Sequence, residues 1–322
     1  MTAQQERTPS RPRRRGWGRA LLNLALAGVI FVGGAVIGGM YVVGGSTYGV
    51  AVAPEEFDRI AAAWETLYAE YVDAAALDPR ELAYGAIAGM TEAVGDTGHT
   101  RFLTPDEATA EAALMSGSAS SVDWEMVQDR RTGLIRLDLF AEGAGDAVAG
   151  AVRAARAAGA TSLVLDLRGN AGGILDEAIA VAGVFLEPGS GVVRERDRAG
   201  EEILHVVPVD SSPTDLPLVV LVDGDSASSS EVVAAALQDA ERATVVGTTT
   251  TGTGTILSDY EFDDGALLSI GTATWFTPSG RSVWHVGVTP DVVRSLAAAA
   301  LHPSEDTQLR AALELLSEAP AP

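Results

Sequence analysis

The sequence contains no cysteine and no lysine, and each absence excludes a kind of chemistry. Without cysteine, the chain has no disulfides, thiolate metal sites or cysteine nucleophiles. Without lysine, all 22 basic residues are arginines, which stay protonated and cannot act as bases. Four histidines are present, and none shows the close spacing of a zinc site: His99, His205, His285 and His302. We therefore predict no metal site and no cofactor.

Positive charge is also scarce outside the first 19 residues. Residues 1–19 hold six arginines and one glutamate, whereas the rest of the chain holds 16 arginines against 43 acidic residues. A body of that charge repels nucleic acid, and no basic face with interleaved aromatic residues is present in the sequence. We predict no nucleic-acid partner.

Residues 20–44 form an uncharged, apolar run that is long enough to cross a bilayer as a helix. The arginines precede this run, so the positive-inside rule predicts a cytoplasmic basic tail at 1–19 and an extracellular remainder, giving a single-pass protein of the cell membrane. A cleaved signal peptide is the alternative, although its apolar region is usually only about 7–15 residues long. Gly34 and Gly38 make a G-x-x-x-G pattern, which is compatible with a homo-oligomer.

After a linker at 45–53, the apolar pattern predicts an N-terminal helical region at 54–110. Its helices cover about 54–72 and 78–94, and Gly95 ends the second one. The loop "GDTGHTRFLTPDEA" follows these helices.

From residue 133 to about residue 300, apolar strands alternate with helices, which predicts an α/β domain with a largely parallel sheet. One segment of this domain, at 191–209, has the pattern of a β-hairpin. The final segment, 301–322, contains an amphipathic helix from about Glu305 to Glu318.

Two strand-to-helix junctions carry the residues that suggest chemistry: "DLRGNAGG" at 166–173 and "GDSASSSE" at 224–231. Active groups of such sheets gather where strands end and helices begin. Ser228 and Glu231 have the spacing of a capping box, which is a purely structural explanation for the serine. A serine at a helix N-terminus also lies beside free N–H groups and the positive end of the helix dipole, which stabilise an oxyanion. The residues alone leave both explanations open.

The chain resembles the C-terminal processing peptidases, also called tail-specific proteases, over about residues 55–295. The motifs are "LVLDLRGNAGG", "PLVVLVDGDSASSSEVVAAALQDAERATVVG", "TATWFTPSGRSVWHVGVTPDV" and the loop "GDTGHTRFLTPDEA". The resemblance implies an α/β core of the Clp-protease and crotonase type and a protein or peptide substrate. It also implies that Ser228 is the nucleophile and that the backbone N–H groups of Ser229 and Gly172 form the oxyanion hole.

The sequence departs from this family in domain content. Family members carry a PDZ domain between the N-terminal helices and the core, where this chain has only residues 111–132. An independent domain needs at least about 50 residues. We therefore predict a short, mobile connector at 111–132 in place of the PDZ domain.

A second departure concerns the base. The family pairs its serine with a lysine 25 residues later, and that position is Thr253 here; a nearby family glutamine falls on Leu257. A threonine has no accessible pKa for a general base at neutral pH. On the sequence, Thr253→Ala is expected to change turnover little.

Histidine is the side chain that titrates near neutral pH, and His99 in "GDTGHT" is the best candidate for the base. More distant relatives, the tricorn-type proteases, pair their serine with a histidine from a corresponding loop. The glutamate that helps to orient that histidine is replaced here by Trp284. The alternative for His99 is a loop histidine that caps a turn. His285 is a weaker candidate, which the sequence places on an exposed strand.

These observations predict a membrane-anchored, extracytoplasmic serine peptidase of the tail-specific type, which cleaves exported proteins or peptides through Ser228. The alternative is a pseudopeptidase that keeps the groove for peptide binding or scaffolding but has lost proton transfer. The retained serine and glycine junctions favour the first prediction, and the missing lysine and PDZ domain favour the second.

Overall fold

The computed structural model describes residues 40–43, 46–49, 54–96, 99–116, 122–127, 131–296 and 306–318. They belong to two compact units, Met1–Pro79 and Arg80–Pro322. The basic tail and most of the predicted membrane span lie outside the described residues.

The first unit contains a short hairpin and a helix. Strand β1 (Met40–Val43) pairs antiparallel with β2 (Ser46–Gly49), and helix α1 (Pro54–Glu70) is followed by a 3₁₀ turn at Ala74–Ala76. β1 occupies the last residues of the predicted span 20–44, so the helix predicted there does not include them. The β-branched pair in "MYVV" favours an extended backbone. Among the residues that the structure describes, no helix has the length and apolarity to cross a bilayer.

The helical region that precedes the sheet continues beyond residue 110, the boundary that the sequence predicts. α2 (Pro79–Val94) ends at Gly95, whose φ of +71° is the left-handed value that stops a helix. α3 (Pro105–Met115) begins at Thr104, which forms a capping box with Glu107. This capping box lies in the loop "GDTGHTRFLTPDEA", where the sequence predicts no helix, and α3 extends past the predicted boundary at residue 110.

A six-stranded sheet forms the centre of the second unit, with the strand order β13-β10-β9-β6-β5-β4. All neighbours are parallel except β4 and β5, which confirms the prediction of a largely parallel sheet. The bounds are β4 Val122–Val127, β5 Thr132–Leu137, β6 Ser162–Asp166, β9 Leu218–Val222, β10 Thr244–Gly247 and β13 Val292–Val293.

Strand β4 corrects the prediction for residues 111–132. The sequence predicts a mobile connector here, but the segment contains the last residues of α3 and then an edge strand of the sheet. Val122 and Met126 pack against the core, so burial of their side chains holds the strand in place. The segment is still too short for a PDZ domain.

Helices cover both faces of this sheet because its strands are apolar on both sides. Along β9, Leu218, Val220 and Val222 face one core, whereas Val219 and Leu221 face the other. The first core is covered by α4 (Ala144–Ala157), α5 (Leu175–Gly183) and α6 (Ser229–Asp239), and the second by α7 (Thr307–Glu318). Each fully buried Leu or Val contributes about 1.5–3 kcal/mol. The C-terminal helix, predicted within two residues, is therefore part of the core and not a separate tail.

Arg168 of the "DLRGN" segment fixes the start of α7. Its guanidinium donates to Asp166 Oδ2 at 2.6 Å and to Asp306 Oδ2 at 2.8 Å. Asp306 in turn accepts the N–H groups of Gln308 and Leu309, so it caps α7. This partly buried network ties the C-terminal helix to the end of β6, next to one of the two junctions.

A second, antiparallel sheet has the order β11-β12-β7-β8, with β3 paired to β12. The hairpin β7–β8 was predicted, but its membership of a separate sheet was not. Trp275 on β12 packs into the core beside α6 and donates its indole N–H to Thr253 O at 2.7 Å. The bounds are β3 Arg101–Leu103, β7 Gly191–Asp197, β8 Glu202–Val206, β11 Thr255–Glu261 and β12 Leu267–Phe276.

Candidate active site

The two junctions found in the sequence lie side by side at the carboxyl ends of β6 and β9. Asn170 O accepts a hydrogen bond from Ala227 N at 3.0 Å and another from Ser230 Oγ at 2.8 Å. Ser226 Oγ donates to Leu167 O at 2.8 Å. Neighbouring parallel strands end at the same edge of a sheet, so segments more than 50 residues apart in the chain form one site.

Three of the four serines in "SASSSE" hold these junctions together. Ser226 and Ser230 donate as described above, and Ser229 Oγ donates to Gly173 O at 2.9 Å. Ser228 is the one whose hydroxyl donates no hydrogen bond to another described residue. It is half-buried and lines a cavity. Of the four, Ser228 therefore has the hydroxyl whose proton is not donated to a described residue, and the same side chain forms a capping box with Glu231.

The backbone of Ser228 is strained, with φ +51° and ψ −115° at the residue before α6. Such a conformation costs on the order of 1–3 kcal/mol in a residue other than glycine. A strained strand-to-helix turn of this kind exposes the nucleophile in the α/β-hydrolases. Hydrogen bonds from Ser228 N–H to Glu231 Oε2 (3.0 Å) and Thr253 Oγ1 (2.5 Å) hold the turn in this conformation.

Glu231 is the centre of the hydrogen-bond network behind Ser228. Its side chain is fully buried, and its carboxylate accepts five hydrogen bonds from other residues. The donors are Ser228 N, Thr250 Oγ1, Gly252 N, Thr253 N and Thr253 Oγ1. The carboxylate lies in the first turn of α6, where the helix dipole favours negative charge. The capping-box interpretation identified only the contact with Ser228, and the other donors come from the loop 248–254.

Thr253, at the position of the family lysine, is a structural tether. Its hydroxyl donates to Glu231 Oε2 and accepts the Ser228 N–H, and the residue is 5% exposed. Both hydrogen-bonding roles of the hydroxyl are used in holding the strained turn. The expectation that Thr253→Ala changes turnover little is therefore replaced by one of a weakened turn at Ser228.

A cavity of about 130 Å³ opens beside Ser228. Its walls are largely apolar, and the backbone of the glycine junction contributes to them. The lining residues are Gly173, Leu175, Val193, Ser228, Ser229, Val232, Thr255, Ile256, Leu257 and Trp275. The cavity has the size and polarity to accept a small apolar side chain next to the hydroxyl.

His99 contacts Thr255, one of the residues that line this cavity. Its Nδ1 is 2.8 Å from Thr255 Oγ1, and Thr255 lines the cavity together with Ser228. Within the described part of the chain, no hydrogen bond joins the imidazole to Ser228. Burial lowers the pKa of His99 below its ordinary value; nearby Arg101 lowers the pKa further, whereas Asp96 and Glu231 oppose the shift. A lowered pKa leaves the imidazole neutral near pH 7, as a general base requires.

The loop that carries His99 is held by a buried aspartate. Asp96 is 7% exposed, and its carboxylate accepts the N–H and the hydroxyl of Thr100. Thr100 Oγ1 also accepts Gly271 N–H from β12 at 3.1 Å. These contacts fix the residue after His99 on the antiparallel sheet.

The other histidines have different contacts, although the backbone N–H of His285 donates to Gly252 O at 2.9 Å, in the loop that binds Glu231. His285 lies in a turn, not on a strand as predicted, with φ +58° and its ring stacked on Trp284. His205 bonds to Glu195 Oε2 at 2.8 Å on the β7–β8 hairpin. His302 lies outside the described residues.

The N–H of Gly172, the glycine predicted for the oxyanion hole, is already used in a hydrogen bond within the protein. Gly172 N–H donates to Asn170 Oδ1 at 2.8 Å, so it does not point at a substrate in this conformation. Gly173 N–H has no partner among the described residues. The hydrogen bonds of the bridge to Phe140 use Gly172 O and Ile174 N, on either side of Gly173, and Gly173 O accepts the Ser229 hydroxyl. Ser229 N–H is the first of α6 and has no partner in its own helix.

Comparison with known proteins matches residues 131–294, half of the chain, to peptidase family S41. The chain belongs to this family. A carboxyl-terminal-processing protease of Synechocystis is 37% identical over 218 residues, which are 66% of this chain and 50% of the relative. A carboxy-terminal-processing protease of Bartonella bacilliformis is 42% identical over 134 residues, which are 40% of this chain and 30% of the relative.

Solved structures agree on the fold. The photosystem II D1 C-terminal processing protease matches with a TM-score of 0.54 and 22% identity, over 84% of this chain and 99% of that one. A lipoprotein from Streptococcus agalactiae matches with a TM-score of 0.60 and 15% identity, over 84% of this chain and 99% of that one. The resemblance to the C-terminal processing serine peptidases and the mixed α/β fold are thereby confirmed. The chain spans half or less of the length of the curated relatives described above.

Proposed function

We propose that this S41 peptidase is an active, membrane-anchored serine peptidase that cleaves exported proteins or peptides through Ser228. The observation that carries the proposal is the difference among the four serines. Three hydroxyls hold backbone carbonyls, whereas Ser228 lies on a strained turn, beside a cavity, at the start of α6. The capping box with Glu231 gives Ser228 a structural role as well, but a cap uses the serine oxygen as an acceptor and leaves the hydroxyl proton for transfer.

In the proposed mechanism, Ser228 Oγ attacks the carbonyl carbon of the scissile peptide and transfers its proton to Nε2 of His99. The protonated His99 then donates that proton to the leaving amine, and a water molecule deacylates the serine by the reverse sequence. The described structure has no hydrogen bond between Ser228 and His99, so the mechanism requires substrate binding to bring them into contact. Catalytic hydrogen bonds often tighten only in the substrate complex.

The oxyanion would be stabilised by backbone N–H groups at the junction of the two loops. We propose Ser229 N–H and Gly173 N–H for this role, in place of the predicted pair Ser229 and Gly172. The support is that Gly172 N–H is taken by Asn170, whereas Gly173 N–H has no partner among the described residues and Gly173 O is bound by the Ser229 hydroxyl. The helix dipole of α6 adds to this stabilisation.

Labelling with a fluorophosphonate probe tests the proposal directly. Wild type is expected to become covalently labelled, and Ser228→Ala is expected to lose all labelling, because the probe reacts with an activated serine hydroxyl. Ser258→Ala is the matched control, since its hydroxyl bonds to Thr272 on the antiparallel sheet. It should label like wild type. A folded wild-type protein that neither labels nor cleaves unfolded casein would contradict the proposal.

A pseudopeptidase is the second candidate function, and a specific observation favours it. The family lysine is absent, Thr253 in its place is used as a tether, and the described structure has no hydrogen bond between His99 and Ser228. In that case the cavity would bind a peptide without cleaving it. Absence of labelling combined with measurable peptide binding would support this function.

We propose that the N-terminal arginines are cytoplasmic and that the peptidase domain lies outside the cell membrane. The support is the change from basic residues before position 20 to an acidic body after the apolar run. Protease added to intact cells is therefore expected to digest the domain while a cytoplasmic marker stays intact. Protection of residues 54–322 under conditions that digest a known surface protein would contradict this location.

A further inference from the structure

We propose that Thr255 is the positioning residue for His99: it holds the imidazole in the tautomer whose Nε2 is free to take the Ser228 proton. This inference rests on the proposed function, because it assigns the partner of the proposed base. In this proposal Thr255 takes over the role of the orienting carboxylate, because this chain has Trp284 at the position of the glutamate of the distant relatives.

The first support is the contact itself. Thr255 Oγ1 lies 2.8 Å from His99 Nδ1, and Thr255 is at the same time a wall of the cavity beside Ser228. It is the first residue of β11 and directly follows the loop that binds Glu231. One residue therefore connects the imidazole to the edge of the cavity.

The second support is the space left for this contact by Gly271 on β12. A Cβ atom at Gly271 would lie 3.1 Å from Thr255 Cβ and 3.3 Å from Thr255 Oγ1, so a side chain there would press on the threonine. The N–H of the same glycine binds Thr100 Oγ1, which fixes the residue next to His99. Gly271 thus brings both members of the pair together.

The chemistry depends on which ring nitrogen carries the proton. A neutral imidazole has one N–H donor and one lone-pair acceptor. When Nδ1–H donates to Thr255 Oγ1, the lone pair is on Nε2, and Nε2 is then the base. The opposite tautomer has hydrogen on Nε2 and cannot accept the Ser228 proton. A hydroxyl is a weaker partner than a carboxylate, so we expect a slower peptidase than one with an acidic partner.

The charged groups around His99 influence its protonation but are engaged elsewhere. Asp96 on its own loop binds Thr100, and Glu231 on α6 accepts its five donors. Arg101 on β3 forms an ion pair with Glu111 at 2.5 Å. Among the described residues, the side-chain hydrogen bond of the imidazole joins Nδ1 to Thr255 Oγ1.

Kinetic measurements on Thr255 variants test the inference. Thr255→Val keeps the shape of the side chain but removes the acceptor, and it is expected to lower kcat by about 10- to 100-fold, between the loss of one hydrogen bond and a fully wrong tautomer. Thr255→Ser restores the hydroxyl and should stay within about threefold of wild type. The acid limb of the Val variant's pH profile should shift to lower pH, because the imidazolium loses an acceptor.

Thr272→Val is the matched control, because it removes a hydroxyl from the neighbouring strand that bonds only to Ser258 among described residues. It is expected to leave kcat and the pH profile unchanged. A Thr255→Val enzyme with wild-type kcat and pH profile would overturn the inference. So would a Thr255→Ser enzyme that is as impaired as the Val variant.

A second measurement does not require turnover. Two-bond proton–nitrogen NMR of the histidine rings, assigned with His99→Gln, is expected to show the Nδ1–H tautomer in wild type and its loss in Thr255→Val. If the NMR result is as expected but the wild-type protein is not labelled by the fluorophosphonate, the peptidase function is rejected and the positioning role of Thr255 is retained. A wild-type ring with hydrogen on Nε2 would overturn the inference even if the enzyme is active.

Discussion

Replacing His99 by glutamine is expected to lower kcat by about 10²- to 10⁴-fold, the usual contribution of a general base. Glutamine keeps a polar side chain near Thr255 but cannot accept the Ser228 proton at any ordinary pH. The folded protein should keep its stability, since His99 is only half-buried. The measurement is kcat on an unfolded protein substrate, together with thermal unfolding of both proteins.

The pH dependence of the wild type provides an independent check on His99. Burial lowers the pKa of His99 below the ordinary histidine value of about 6.5, so the neutral, basic form predominates at pH 7 and is lost only as the pH falls below that value. We expect activity to be flat near neutrality and to decrease on the acid side with one protonation. His285→Gln is the control and should retain the wild-type profile, because His285 is exposed and stacked on Trp284. An unchanged kcat in His99→Gln would exclude this histidine as the base.

Replacing Glu231 by glutamine is expected to destabilise the second unit by about 3–5 kcal/mol, although the two side chains have nearly the same shape. Each carboxylate oxygen accepts at least two hydrogen bonds, from N–H and hydroxyl donors that are buried with it. An amide nitrogen placed at either oxygen would face these donors without accepting from them. Each donor left without an acceptor costs about 1–3 kcal/mol.

This loss is a large share of the stability of an ordinary domain, about 5–15 kcal/mol, and corresponds to a decrease in Tm on the order of 10 °C. Fluorophosphonate labelling should also fall, because the turn that presents Ser228 loses its support. The matched control is Glu187→Gln, an exposed glutamate that should change Tm by less than about 2 °C. A Glu231→Gln protein with wild-type Tm and labelling would show that the network is not what holds the turn.

The sequence by itself determined the fold class and the location of the site. Apolar strands such as 218–222 alternate with helices, and hydrophobic periodicity depends on residues close in the chain. For the same reason, the junctions at 166–173 and 224–231 were recognisable as neighbours of strand ends. The missing lysine was evident from composition, and no structure was needed to exclude a serine–lysine pair.

The tertiary structure decided which side chains are used to hold the fold and which are left for the proposed chemistry. The sequence singles out Ser228 by its spacing to Glu231 and by the family resemblance, but it does not show what the other three serines do; their contacts with Leu167, Asn170 and Gly173 come from the tertiary structure. The five donors of Glu231 and the contact between Thr255 and His99 join residues up to 156 positions apart in the chain. Local patterns do not report such pairings, because they depend on how separate strands and loops pack.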